Sequence, residues 1–137
     1  MDKQLLYNAV EAKASALTAL SDEIWEYAEL SMEEHRSAAA HIALLKAEGF
    51  QVEENLCGIP TAFLGRYGSG KPVIGILGEY DALSGLSQVP GCTQKQPLIP
   101  GGNGQGCGHH LLGAASIGAA IAVKEQIDAM VALGAKV

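Results

Sequence analysis

The apolar positions change period twice along this chain. In residues 2–30, Leu5, Leu6, Val10, Ala14, Leu17 and Leu20 recur at helical spacing. Ser21-Asp22 reads as a fresh N-cap inside that stretch, ahead of residues 23–29. Ser31 opens a second helix with Glu34 three residues on as a capping box, and Ala38, Ile42 and Leu45 form its apolar stripe. This helix runs to about Glu48, where Gly49 fits the C-terminal cap. The period then drops to two: Phe50-Gln51-Val52 is a short strand and residues 61–67 are a second, closed by Gly68-Ser69-Gly70. Residues 73–78 are nearly all apolar, which predicts a strand covered on both faces of a sheet. Residues 82–106 hold Pro90, Pro100 and many glycines, and predict a long loop of the kind that is usually functional or disordered. Residues 108–135 are helical again, with small residues on one side that permit close approach to a sheet. Helices, then strands, then a helix predict an α/β fold: helices packed on a partly built mixed sheet, in one domain spanning residues 1–137.

Composition narrows the function classes. A chain of 137 residues holds one domain with a real core, and its 48% apolar content excludes global disorder. Aromatic residues are only 5%, so the core is built mainly from Ala, Leu, Ile and Val. The net charge is −6 and neither Lys nor Arg clusters, which argues against nucleic acid or an anionic membrane as partner. No secretory leader is visible, and the longest apolar stretch, residues 111–123, falls short of the roughly 18 residues a membrane span needs. Three cysteines, Cys57, Cys92 and Cys107, make an odd count, so reduced thiols in a cytoplasmic protein are expected. Attention moves from disulfides to metal or catalytic chemistry.

Three stretches are candidates for that chemistry. The first, "GRYGSGKP" at residues 65–72, nearly matches the phosphate-binding pattern, but Pro72 offers neither a hydroxyl nor an N–H, and a strand rather than a helix follows. A hairpin turn joining two strands accounts for it. The second, "GNGQGCG", contains no G-x-G-x-x-G and follows no convincing strand, so a dinucleotide fingerprint fails. The third combines Cys107-Gly108-His109-His110 with Glu79-Tyr80-Asp81. Thiolate and imidazole are both good ligands for zinc and similar divalent ions, and a helix N-terminus favours the thiolate. Asp81 lies just past the end of the apolar run, where it can bind metal or hold a ligand histidine in its required tautomer. Taken alone, C-x-H is also compatible with a buried cysteine beside a capping histidine. His35, His41, Cys57 and Cys92 read as surface or packing residues.

Three collinear segments carry a family resemblance: "IWEYAELSMEEHRSAA", "AEGFQVEENLCGIPTAFLGRYGSGKPVIGILGEYDALSGLSQ" and "NGQGCGHHLLGAASIGAAIAVK". Together they resemble the M20 metallopeptidase/amidohydrolase family, in its aminobenzoyl-glutamate hydrolase-like and Xaa-Arg dipeptidase-like branch. The resemblance implies the N-terminal part of a zinc-peptidase-like catalytic domain and hydrolysis of an amide bond at a two-metal centre of zinc or manganese. Cys107 and His109 fall on the family's metal ligands, His110 is a further candidate, and Asp81 falls on the aspartate of the D-A-L motif beside the metals. The water-activating glutamate, the further ligands and the lid or dimerisation domain lie downstream in family members, which are considerably longer; Glu33-Glu34 and Glu53-Glu54 stand in the wrong context to replace them. Two positions depart from the pattern: His110 stands where Asp or Asn is usual, and Gln105 where a histidine is often found. The expectation is therefore a partial catalytic site for a small amide or dipeptide substrate. The alternative is a non-catalytic remnant that folds and, through exposed apolar faces, forms a homo-oligomer.

Overall fold

The structure, a computed structural model, describes residues 3–134; residue 2 and Ala135, at the outer edges of the expected helices, lie outside the described residues, as do the ends of the expected 1–137 domain. The fold is α/β: four α-helices with a small two-stranded antiparallel sheet. In chain order these are α1 (Lys3–Ala12), α2 (Ala14–Tyr27), α3 (His35–Ala47), β1 (Gln51–Glu54), β2 (Phe63–Arg66) and α4 (His109–Ala132). A single 3₁₀ turn, Leu56–Gly58, connects the two strands. They pair with Val52 opposite Gly65 and Glu53 opposite Leu64.

The core lies where α2, α3 and α4 meet. Leu20 and Ile24 of α2, Leu45 of α3 and Ile117 and Ile121 of α4 are buried together, with Phe50 closing one end. With few aromatics, the core depends on close helix approach rather than large rings. The end of α3 is the capping arrangement expected at Gly49. Gly49 adopts φ 85°, its N–H donates to Lys46 O at 3.0 Å, and Phe50 N–H donates to Leu45 O at 3.0 Å. These two bonds satisfy carbonyls that the helix end would leave bare, and they turn Phe50 back onto Leu45.

Four expectations are corrected. The first helix breaks at Lys13, not at Ser21, because Ser21 is buried inside α2 while Lys13 is free to pair with Glu48 at 2.8 Å. The second helix begins at His35, so Ser31 and Glu34 do not form a capping box. Glu29 supplies that cap: its carboxylate accepts from Arg36 N–H at 3.0 Å and from Ser37 N–H and Oγ–H at 2.8 Å. Residues 65–66 end β2 and residues 67–72 bend away from it, but they are not a hairpin between two paired strands, since β2 pairs with β1. Lastly, residues 73–78 form no strand and are unpaired among the described residues, and Val73 and Leu77 are 87% and 91% exposed. A run apolar on both faces needs a neighbour on each side, and no described segment provides one.

Candidate metal centre

Two segments meet at the candidate site. The irregular residues 73–78 deliver Glu79-Tyr80-Asp81, and the loop that follows returns the chain to α4, whose first residue is His109. The return is tied rather than loose. Leu83 and Gly104 exchange backbone hydrogen bonds of 2.9 and 3.0 Å, Ser87 N–H donates to Gly102 O at 3.0 Å, and the Gln88 amide holds the backbone at Cys92, Gln94 and Gln96. On the other side, Ala82 N–H donates to Glu29 O at 2.7 Å, anchoring the Asp81 backbone to the end of α2.

Close approach of α4 completes the pairing. Gly113 lies one turn after His109, and a Cβ there would stand 2.9 Å from Glu79 O and 2.6 Å from His41 Nε2. Only a glycine lets the helix rest this near the backbone that carries Glu79 and Asp81. His41, 1% exposed, donates from Nδ1 to Ser37 O at 2.8 Å and packs its ring against Tyr80 with centroids 4.7 Å apart. Burial holds His41 below its ordinary pKa, against the opposing effect of the bond to Ser37 O, so the ring is neutral. The Tyr80 hydroxyl donates to Thr61 O; burial first, then the charges of Glu34, Asp81 and Glu29, push its pKa up to about 12. The donor proton therefore stays in place at physiological pH.

The result is a histidine between two carboxylates. His109 Nδ1 lies 2.8 Å from Asp81 Oδ1 and Nε2 lies 3.0 Å from Glu79 Oε2, with the His109 and Asp81 side chains 19% and 20% exposed. A neutral imidazole has one N–H. If it donates to Asp81, the Nε2 lone pair faces a carboxylate oxygen at hydrogen-bond distance. Two lone pairs held so close call for positive charge between them, either a second proton or a metal ion. One donor atom from each of Glu79, Asp81 and His109 lies within 4.8 Å of the others. One nitrogen with carboxylate oxygens suits a divalent cation.

The expected residues are brought together unequally. Asp81 and His109 meet directly. Cys107 is exposed two residues before His109 and is not in the donor group, while Glu79, which the sequence offered only as a neighbour of Asp81, is. His110 follows His109 on the helix, so its side chain is turned about 100° away. Its N–H takes Gln105 Oε1 at 3.3 Å, its Nδ1 is buried without a partner among the described residues, and burial lowers its pKa despite nearby Asp22. His35 is exposed and His41 is a packing residue, as expected. A signal for Glu79 was available in E-x-D spacing: in extended backbone, residues two apart share a face.

The fold and site thus define an α/β chain with a candidate divalent-cation centre of carboxylates and imidazole. No protein-family model matches the chain. It is 49% identical over 121 residues to a subunit of the p-aminobenzoyl-glutamate hydrolase of Escherichia coli (strain K12), a match covering 88% of this chain and 25% of that protein. It is 27% identical over 134 residues to Xaa-Arg dipeptidase of Mus musculus, covering 90% of this chain and 27% of that one. Both relatives are M20-family amidohydrolases, and the chain is similar to a part of each. It spans about a quarter of the length of the curated relatives it matches.

Proposed function

We propose that this chain carries part of the site of a metal-dependent hydrolase acting on an amide or peptide bond of a small substrate, of the aminobenzoyl-glutamate, N-acyl amino acid or dipeptide type. The observation that carries the reading is the His109 ring facing Asp81 and Glu79 at once, an arrangement that calls for a cation. Zinc or manganese, when bound, lowers the pKa of a water and polarises an amide carbonyl. The chain's own part is to hold that ion. Asp81 accepts Nδ1–H and fixes the tautomer, which aims the Nε2 lone pair at the ion position. Glu79 supplies an anionic oxygen there. Cys107, exposed at the same loop-to-helix junction, is the proposed thiolate donor. A cytoplasmic setting belongs to the same proposal and is supported by three free cysteines.

The test is metal titration by calorimetry with metal content by mass spectrometry, alongside turnover of aminobenzoyl-glutamate and dipeptides. Asp81→Asn should weaken zinc or manganese binding by about 10- to 100-fold. Wild-type affinity no greater than that of His109→Ala would sink the metal reading. The second reading is association without catalysis, favoured by the exposed apolar residues 73–77.

A further inference from the structure

Among the described residues, Gln105 is the one polar side chain that the loop between Asp81 and α4 buries, at 9% exposed. Its backbone is held from both sides. Gly104 before it exchanges hydrogen bonds with Leu83, and Gly108 N–H donates to Gln105 O at 3.1 Å. A Cβ on Gly104 would overlap Leu86 O, and one on Gly106 would stand 2.5 Å from Leu86 Cδ1. The loop therefore takes one close-packed path here, with the Gln105 side chain turned in from solvent.

Both ends of that side chain are used. Gln105 Nε2 donates to Tyr80 O and Oε1 accepts from His110 N–H, each at 3.3 Å. The Tyr80 carbonyl opens the peptide that leads into Asp81, one residue after Glu79. The His110 amide is the second of α4, next to His109. Gly108, with φ 83°, stands at the cap of α4 and has no side chain to offer it. Leu111 and Leu112 N–H both turn to Gly108 O, so the His110 amide draws its acceptor from outside the helix. Tyr80 O only accepts and His110 N–H only donates, and the two partners fix which end of the amide is which. A side-chain amide serves both without a charge. A carboxylate would only accept, and an ammonium would only donate.

We propose, on the metal reading of Glu79, Asp81 and His109, that Gln105 is a positioning residue of the cation site. Its amide clamps the first turn of α4 to the Glu79–Asp81 segment and so sets the His109 ring against both carboxylates. The ring nitrogens stand 2.8 Å from Asp81 Oδ1 and 3.0 Å from Glu79 Oε2, which leaves little slack at either end of the clamp. Packing at Gly113 brings the helix near; Gln105 fixes where its first turn points.

The test is nuclear magnetic resonance on the metal-free chain, wild type beside Gln105→Met and Gln105→Glu, with circular dichroism to show that each folds. Gln105→Met keeps the length and loses both bonds. Gln105→Glu keeps the acceptor for His110 N–H and loses the donor to Tyr80 O. In wild type the Gln105 side-chain amide protons should exchange slowly, and the His109 Nδ1 proton should be visible through its bond to Asp81. The Asp81 backbone nitrogen, which shares the Tyr80 peptide, should shift in both variants. The His110 amide proton should lose its hydrogen-bond shift in Gln105→Met alone. In both variants the His109 Nδ1 proton should be lost to solvent exchange. Zinc titration by calorimetry on Gln105→Met, which adds no charge, should give an affinity about tenfold or more below wild type. A plain helix cap would move the His110 signal and leave the Asp81 nitrogen, the His109 proton and the zinc affinity as they were, and that result overturns the inference. Freely exchanging Gln105 amide protons in wild type overturn it as well. If wild type binds no zinc, the metal reading falls, and the metal-free signals still decide the clamp.

Discussion

Gly113→Ala is the most direct probe of how the site is assembled. The new methyl would stand 2.9 Å from Glu79 O and 2.6 Å from His41 Nε2. Carbon-to-oxygen contacts ordinarily settle at about 3.3–3.6 Å, so α4 must withdraw by roughly half an ångström from the backbone between Glu79 and Asp81. His41 cannot yield easily, being buried and tied to Ser37 O. Overpacking of this kind costs about 1–3 kcal/mol. Replacing a mid-helix glycine by alanine returns up to about 1 kcal/mol. The net expectation is a loss of about 1–2 kcal/mol, read as a shift in urea midpoint by Trp25 fluorescence. His109 sits one turn from Gly113, so the withdrawal also stretches its 2.8 Å contact with Asp81, and metal affinity should fall by about tenfold or more. Gly118→Ala is the control: its methyl would meet the Leu17 Cδ1 tip at 2.9 Å, a flexible end that can rotate away. If Gly113→Ala proves as stable as Gly118→Ala and binds metal like wild type, close approach of α4 does not build this site.

Other perturbations separate the remaining roles. Cys107→Ser should weaken zinc binding more than manganese binding, because thiolate favours the softer ion; equal losses in paired titrations would remove Cys107 from the donor set. For His41, the folded pKa is depressed, so the unfolded chain binds the proton first. Its stabilising contribution is present above the ordinary value of 6.5 and is lost as pH falls through the folded value. His41→Phe should flatten the melting-temperature profile in that window, and an unchanged slope would contradict the burial argument. For Glu29, burial raises the pKa, but the hydrogen bonds from Ser37 and Arg36 outweigh it and hold the carboxyl below its ordinary value. That contribution is lost only at lower pH. Glu29→Ala should cost about 1 kcal/mol at neutral pH through loss of the α3 cap, measured by urea unfolding.

Much of this fold was legible locally. The helical spacing of Leu17, Leu20, Ala38 and Leu45, and the glycine after Glu48, report on neighbours within one or two turns, and a single chain carries that information. The C-x-H junction at Cys107 and His109 was readable for the same reason, since both residues lie in one short segment. The α2 and α3 starts were less so. Ser21 carries a capping residue's chemistry, but burial claimed it, and the cap on α3 came from Glu29, eight residues before Ser37. Capping depends on which carboxylate reaches the bare amides, and that is settled by the intervening turn.

The sequence grouped Asp81 and Glu79 with His109 as one candidate, but only the tertiary structure put His109 in contact with both carboxylates. The two sides are separated by a loop whose closure rests on the Leu83–Gly104 bridge and on α4 seating against Glu79 O through Gly113. Tertiary structure also decided the fate of residues 73–78. Their composition determined that both faces seek cover, because apolar side chains alternate to either side of an extended backbone. Whether cover exists depends on which strands lie alongside, and strand neighbours are long-range partners that a local pattern does not encode.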